Sequence, residues 1–162
     1  MNLTESWPEI RKIFSSANSF LIASVSPEGF PHMTPIGSLS LNDDCTGCYL
    51  ERFPQGLVRN LDQCDRIEVI GLINTPGIWL RALVSGKFGM PPAMRLRGYA
   101  GARRLATQKE QDRWHHKVRR LRWTMGHGLL WGQMTHARDL RFDAFDPIRL
   151  GAMTQGLFCE PE

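Results

Sequence analysis

Apolar positions along the chain switch between helical and strand periods. Ile10, Ile13 and Phe14 recur at helical spacing. They follow Ser6 and Glu9, which have capping-box spacing, and Pro8 falls in the first turn, so residues 6 to 17 are expected to form a short amphipathic helix. From Phe20 to Leu41 the period is two. Leu21, Ala23 and Val25 share one face, and after the Pro27, Glu28, Gly29 turn so do Met33, Leu39 and Leu41, with Pro35 and Gly37 between them. This is a hairpin whose second strand carries a polar set, His32, Thr34, Ser38 and Ser40, on its alternate positions.

Asn42, Asp43 and Asp44 make the next turn, and residues 47 to 53 continue as a third strand in which Tyr49 and Phe53 favour a pleated surface. Pro54 stops that strand and opens a brief helix, PQGLVRNLDQC, before a fourth strand over residues 66 to 73. Residues 74 to 92, punctuated by prolines and glycines, read as a long connection. A fifth strand spans residues 94 to 105, with Met94, Leu96, Ala100 and Ala102 on one side and Arg95, Arg97, Tyr99 and Arg103 on the other. Its glycines imply bending or bulges. Thr107 and Glu110 repeat the capping-box spacing and open a helix to about residue 123, with Trp114, Val118 and Leu121 inward. A Gly- and Trp-containing loop and a final extended segment over residues 140 to 153 complete the chain. The early connections are too short for parallel crossovers, so the pattern implies a mainly β, α+β domain built on a small antiparallel barrel, one domain over residues 1–162.

Composition narrows the functional classes. A chain of 162 residues buries enough surface to need no disulfide or metal staple, and a net charge of +4 is too weak to indicate nucleic acid. No apolar run is long enough to span a bilayer, and the amino terminus lacks a basic segment followed by an apolar one, so a cytoplasmic protein without a membrane partner is expected. Cys45, Cys48, Cys64 and Cys159 read as reduced thiols. Cys45 and Cys48 have the spacing of half a zinc site, but no second pair completes it, and His115, His116, His127 and His136 lack a ligand spacing. No metal site is therefore expected.

One local pattern points to an anion. A helix starting at Pro54 presents the N–H groups of Gln55, Gly56 and Leu57 without intrahelical acceptors, and the aligned peptide dipoles favour negative charge there. Gln55 and Arg59 lie one turn apart on one face, and Arg52 enters from the preceding strand. Together they are suited to a dianion. The alternative is a helix with a solvated Arg59 and with Leu57 and Leu61 packed inward.

Three phrases in order, FLIASVSPEGFPHMTPIG, an aromatic strand, and VRNLDQCDRIEVIGL, resemble the FMN-binding split-barrel proteins related to pyridoxamine 5'-phosphate oxidase. The resemblance is clearest over residues 18 to 73. It implies a six-stranded antiparallel split β-barrel with flanking helices, and a homodimer with FMN at each of two subunit interfaces. It also implies hydride transfer between a reduced donor and a small-molecule acceptor. The flavin ring would lie against Thr34, Pro35, Ile36 and Gly37, and the phosphate near Arg52, Gln55, Arg59 and Asn60. His32 and Arg97 are the catalytic candidates. Leu57 stands where family members commonly carry a Lys. That departure keeps open a non-catalytic protein holding a flavin, haem or other anionic compound in the same cleft, with His127 or His136 as an axial ligand for haem.

Trp79, Trp123 and Trp131 lie in or beside the long loops, where large apolar side chains cover a ligand, a subunit interface or a satellite core; Trp131 joins the cofactor set. Arg81, Lys87 and Arg95 are secondary candidates for an anionic substrate group. The run RWHHKVRRLRW, residues 113 to 123, has the outline of a nucleic-acid helix, but its Arg and Lys residues are better read as a solvated face over Trp114, Val118 and Leu121 or as the rim of a dimer cleft, and no nucleic-acid partner is expected.

Overall fold

The computed structural model describes residues 2–17, 19–52, 55–132 and 134–158. The expectations at Phe53, Pro54 and Cys159, and for the side chain of Leu121, lie outside the described residues. In chain order the elements are α1 (Leu3–Ser16), β1 (Ser19–Val25), β2 (Pro31–Ile36), β3 (Ser40–Leu41), β4 (Thr46–Glu51), α2 (Gln55–Gln63) and β5 (Arg66–Leu72), then α3 (Pro76–Ser85), β6 (Ala93–Leu105), α4 (Gln108–Val118), α5 (Met125–Trp131) and β7 (His136–Pro147).

One sheet runs β2-β1-β5-β6-β7-β4-β3, with every neighbouring pair antiparallel. It has seven strands where six were expected, because Ser40–Leu41 forms a short strand of its own on β4. The sheet curls without closing. Its two ends meet at Ser38, whose Oγ donates to the Leu50 carbonyl (3.0 Å) and accepts the Leu50 N–H (2.9 Å). This is the antiparallel split-barrel architecture, with α1 and α2 packed on its inner face. Trp7, Ile10, Ile13 and Phe14 of α1 and Leu57 and Leu61 of α2 meet Ile22, Val69, Met94, Leu96 and Leu140 there.

Four expectations need correction. The strand period of β1 is right, but its phase is reversed: Phe20, Ile22 and Ser24 face the core at 6%, 0% and 3% exposure. Leu21, Ala23 and Val25 face outward with their partners Pro35, Met33 and Pro31. Because SFLIASV is apolar at nearly every position, alternation cannot choose its inner face. Met33 is accordingly 59% exposed, while Thr34 and Ile36 turn inward. Second, α1 begins earlier than Ser6, since Asn2 Oδ1 accepts the Thr4 N–H and caps the helix. Third, the supposed connection at residues 74 to 92 contains α3, started by Thr75 and Pro76 and stopped by Gly86 at φ 71°. Fourth, the loop before the last strand contains α5, and that strand begins at His136 rather than at residue 140.

The second capping box does form. Thr107 Oγ1 accepts the Glu110 N–H and Glu110 Oε2 accepts the Thr107 N–H. Arg104 then grips Glu110 on one side (2.7 and 3.0 Å) and Asp139 on the other (2.6 and 2.7 Å), tying α4 to β6 and β7. The Arg104 hydrogen bonds hold the Glu110 carboxyl down at about 2. A carboxyl lowered by folding stabilises the fold fully above its ordinary range and loses that contribution as pH falls through its folded value. Urea unfolding of the wild-type chain should therefore show stability from this pair declining from pH 4.5 towards 2. Glu110→Gln should be less stable at neutral pH and show a flatter decline in that window; identical pH profiles would show that Arg104 does not hold Glu110.

Candidate functional site

The break in the sheet is also where the sequence candidates gather. A cavity of about 370 Å³ opens beside Ser38 and Leu50, lined by Thr34, Pro35, Ile36, Gly37, Tyr49 and Arg52 from the sheet side. Trp114 from α4, Leu130 and Trp131 from α5, and Met134 close the other side. Gly37 faces the Trp114 ring, 3.5 Å from where its Cβ would be, an ordinary contact distance. Trp114 and Trp131 meet edge to face, with centroids 6.3 Å apart, and His115 Nε2 lies 3.2 Å from the Trp131 carbonyl oxygen. Trp114 is 9% exposed, and its buried indole N–H has no hydrogen-bond partner among the described residues.

A second cavity of about 500 Å³ lies along the exposed side of α2, lined by Arg52, Gln55, Val58, Arg59, Asp62, Gln63 and Arg103. Arg52 lines both cavities, so it stands between an apolar, tryptophan-walled space and a socket of three arginines, two glutamines and Asp62, the carboxylate being paired with Arg138. Gln55, Arg59 and Arg52 therefore lie together, as the local spacing implied. His32 stands beside the start of α2, its Cε1 and Nε2 3.6 and 3.9 Å from where a Gly56 Cβ would be, with Nδ1 3.4 Å from Thr34 Oγ1.

Two candidates are placed elsewhere. Asn60 is 1% exposed and its Nδ2 donates to Ser24 Oγ at 3.0 Å, so it fastens α2 to β1 in the core. Arg97 lines a different groove, with Tyr99, Arg66 and Asp143, and pairs with Glu68 at 3.4 Å. Among the secondary candidates, Arg81 and Lys87 line a cavity under α3, and Arg95 pairs with Glu68 and Asp146. Trp79 donates to the Ile73 carbonyl, while Trp123 is 85% exposed. Leu57, at the position of the missing lysine, is fully buried. Cys45 and Cys48 are free thiols at the start of β4, and burial pushes Cys48 up to about 11.

The socket rests on a buried charge network that sequence reading missed. Arg138 on β7 and Glu51 on β4 are each 1% exposed at the side chain, paired at 3.2 Å. Glu51 also accepts the Tyr49 hydroxyl (2.8 Å) and pairs with Arg103 (2.8 Å). Arg138 reaches Asp62 on α2 (2.8 Å) and the Gly101 carbonyl (3.1 Å). The Tyr49 phenol is pushed up by burial and then by the Glu51 charge, which keeps it a donor. The network joins β4, β6, β7 and α2; Arg103 lies on β6, Arg59 on α2, and Arg52 directly follows β4.

A family model described as pyridoxamine 5'-phosphate oxidase matches residues 6–145. The chain belongs to that family. No curated protein matches the chain significantly. Among solved structures, HupZ from Group A Streptococcus shares 15% identity at a TM-score of 0.59, over 91% of this chain and 97% of that one. The haem storage protein HutZ from Vibrio cholerae shares 14% identity at a TM-score of 0.55, over 91% and 95%. An FMN-binding protein from Syntrophomonas wolfei shares 14% identity at 0.56, also over 91% and 95%. At these identities the family member is like them in fold. No described helix is long and apolar enough to cross a membrane.

Proposed function

We propose that this pyridoxamine 5'-phosphate oxidase family member binds FMN across the split of its sheet and carries out hydride transfer between a reduced donor and a small acceptor. The observation that carries the reading is Arg52 standing between the tryptophan-walled cavity and the arginine socket. A flat apolar ring fits the first space and a dianion the second. At about 370 and 500 Å³ both are of small-molecule size, within the ~300–1,000 Å³ typical of ligand pockets. Bound FMN supplies the hydride chemistry; the chain positions it and excludes water. Thr34, Pro35, Ile36 and Gly37 form the floor, and Trp114 and Trp131 the cover. Arg52, Gln55, Arg59 and Arg103 hold the phosphate, with His32 beside the first turn of α2 as a further donor. His32 is thus reassigned from proton transfer to the phosphate end.

The second subunit of the proposed homodimer belongs on the outer face of β1 and β2. There Phe30, Met33 and Val25 are 71%, 59% and 39% exposed, continuous with Pro35 at the rim of the cavity. Docking a copy there walls in the flavin site, which one chain leaves open along its edge strand.

A non-catalytic haem-binding reading has one observation in its favour: the ring of His127, on α5, meets Trp131 with centroids 5.4 Å apart, and its Nε2 is buried without a hydrogen-bond partner among the described residues. A visible spectrum separates the two readings. Purified protein titrated with FMN should show flavin absorption bleached by a nicotinamide donor, and light scattering should give twice the chain mass of 18.5 kDa. A Soret band, or no FMN uptake, would remove the flavoenzyme reading. Arg59→Ala should keep its fold while weakening FMN by about tenfold or more, the loss of one charge-assisted hydrogen bond. It should leave riboflavin binding unchanged; equal loss for both ligands would place Arg59 away from the phosphate.

A further inference from the structure

A third cavity, of about 520 Å³, lies between α1, the 39–41 segment and α4. Its floor is apolar and buried: Phe14, Phe20 and Leu39 are 4%, 6% and 7% exposed, and the two phenylalanine rings stack with centroids 5.9 Å apart. Its rim is cationic, with Arg11, Lys12 and Lys117, and no carboxylate lines it. Arg11 is paired with Asp43, outside the lining. Among the described residues neither Lys12 nor Lys117 enters an ion pair. The Lys117 ammonium instead sits 5.7 Å from the ring centroids of both Phe20 and Trp114. Ser40 Oγ accepts from Arg113 at 2.8 Å, which leaves its own hydroxyl hydrogen for an acceptor in the cavity.

We propose that this groove is a second ligand site, for a small anion with a planar apolar body: the body on Phe14, Phe20 and Leu39, the anionic group between Lys12, Lys117 and the Ser40 hydroxyl. Two unpaired ammonium groups over an aromatic floor reject a cation and leave a neutral molecule without polar contacts at the rim, so charge and shape select together. Partial desolvation beside the Phe20 and Trp114 rings lowers the Lys117 pKa, and an arriving anion offsets that cost. The site stands apart from the flavin reading, because its lining shares no residue with either of the cavities assigned to the flavin.

The test uses a matched pair of probes on the full chain, 2-naphthalenesulfonate and neutral 2-naphthol, followed by calorimetry. The sulfonate should bind one per chain and about tenfold or more tighter than the naphthol. Lys12→Met and Lys117→Met keep the apolar stems and should each lower sulfonate affinity several-fold, the double variant bringing it to the naphthol level, with melting temperatures unchanged. Arg59→Ala should leave sulfonate binding as it is. Equal binding of the two probes, an unchanged sulfonate affinity in the double lysine variant, or loss of sulfonate binding in Arg59→Ala instead would overturn the proposal.

Discussion

Arg138→Met should destabilise the chain by about 3–5 kcal/mol, the cost typical of removing one partner from a buried ion pair. Glu51 remains with its side chain 1% exposed, and of its partners only the Tyr49 hydroxyl and Arg103, itself 43% exposed, are left. Asp62, more than half exposed, returns to water at little cost, so the penalty falls on Glu51. Urea unfolding gives the free energy, and a melting temperature lower by on the order of 10 °C gives an independent reading. Adding Glu51→Gln to Arg138→Met should recover much of the loss, because the buried charge left with only the half-exposed Arg103 opposite it is gone. If Arg138→Met unfolds at the wild-type midpoint, Glu51 is solvated and the network has no structural role. The same variant should loosen the FMN phosphate, since Arg138 holds α2 through Asp62 and β4 through Glu51. That loss should appear for FMN and not for riboflavin.

This network marks the limit of what the sequence disclosed. Arg52, Gln55 and Arg59 were legible because a strand end and one helical turn place them by local geometry alone. The capping box at Thr107 and Glu110 and the inward set Met94, Leu96 and Ala100 were legible for the same reason. Glu51 and Arg138 lie 87 positions apart and meet only because β4 pairs with β7. The available signal was weak: each stands in an otherwise core-facing strand pattern, Glu51 two residues after Tyr49 and Arg138 two before Leu140. A charge at an inward strand position predicts a buried partner without saying which. The phase of β1 was illegible because both of its faces are apolar, one for the core and one continuous with the exposed Phe30 and Met33. Trp114, inward by helical period, is both core and cavity wall, because α4 lies over the Gly37 end of the break in the sheet. Arg97 was drawn into the site by charge alone, and strand register carries it to Glu68 instead.

Gly98→Ala should be the most damaging single methyl in the sheet. Between β6 and β7 the register shifts: Arg97 pairs with Ala144 and Gly98 with Phe142, leaving Asp143 as the extra residue of a bulge. The bulge presses the β7 backbone onto Gly98, where a Cβ would lie 1.9 Å from the Arg141 carbonyl oxygen and 2.8 Å from the Phe142 Cα. Backbone cannot rotate away as a side chain can, so the strands must separate and the hydrogen bonds around the bulge must lengthen. The expected cost is about 3 kcal/mol or more, the upper end of overpacking penalties. Gly101→Ala is the control. On the same strand, a Cβ there would meet nothing closer than the Asp139 carbonyl oxygen at 3.5 Å, an ordinary contact. Since glycine is a poor strand residue, that change should be neutral or slightly stabilising. Urea midpoints of the two variants should therefore move apart, Gly98→Ala steeply down and Gly101→Ala level or up. Equal midpoints would mean that β7 does not close onto β6 at the bulge. The effect should reach the site as well, because β6 carries Arg103 and β7 carries Arg138. A separation of these strands at Gly98 should weaken FMN in the surviving folded fraction, whereas Gly101→Ala should bind it as the wild type does.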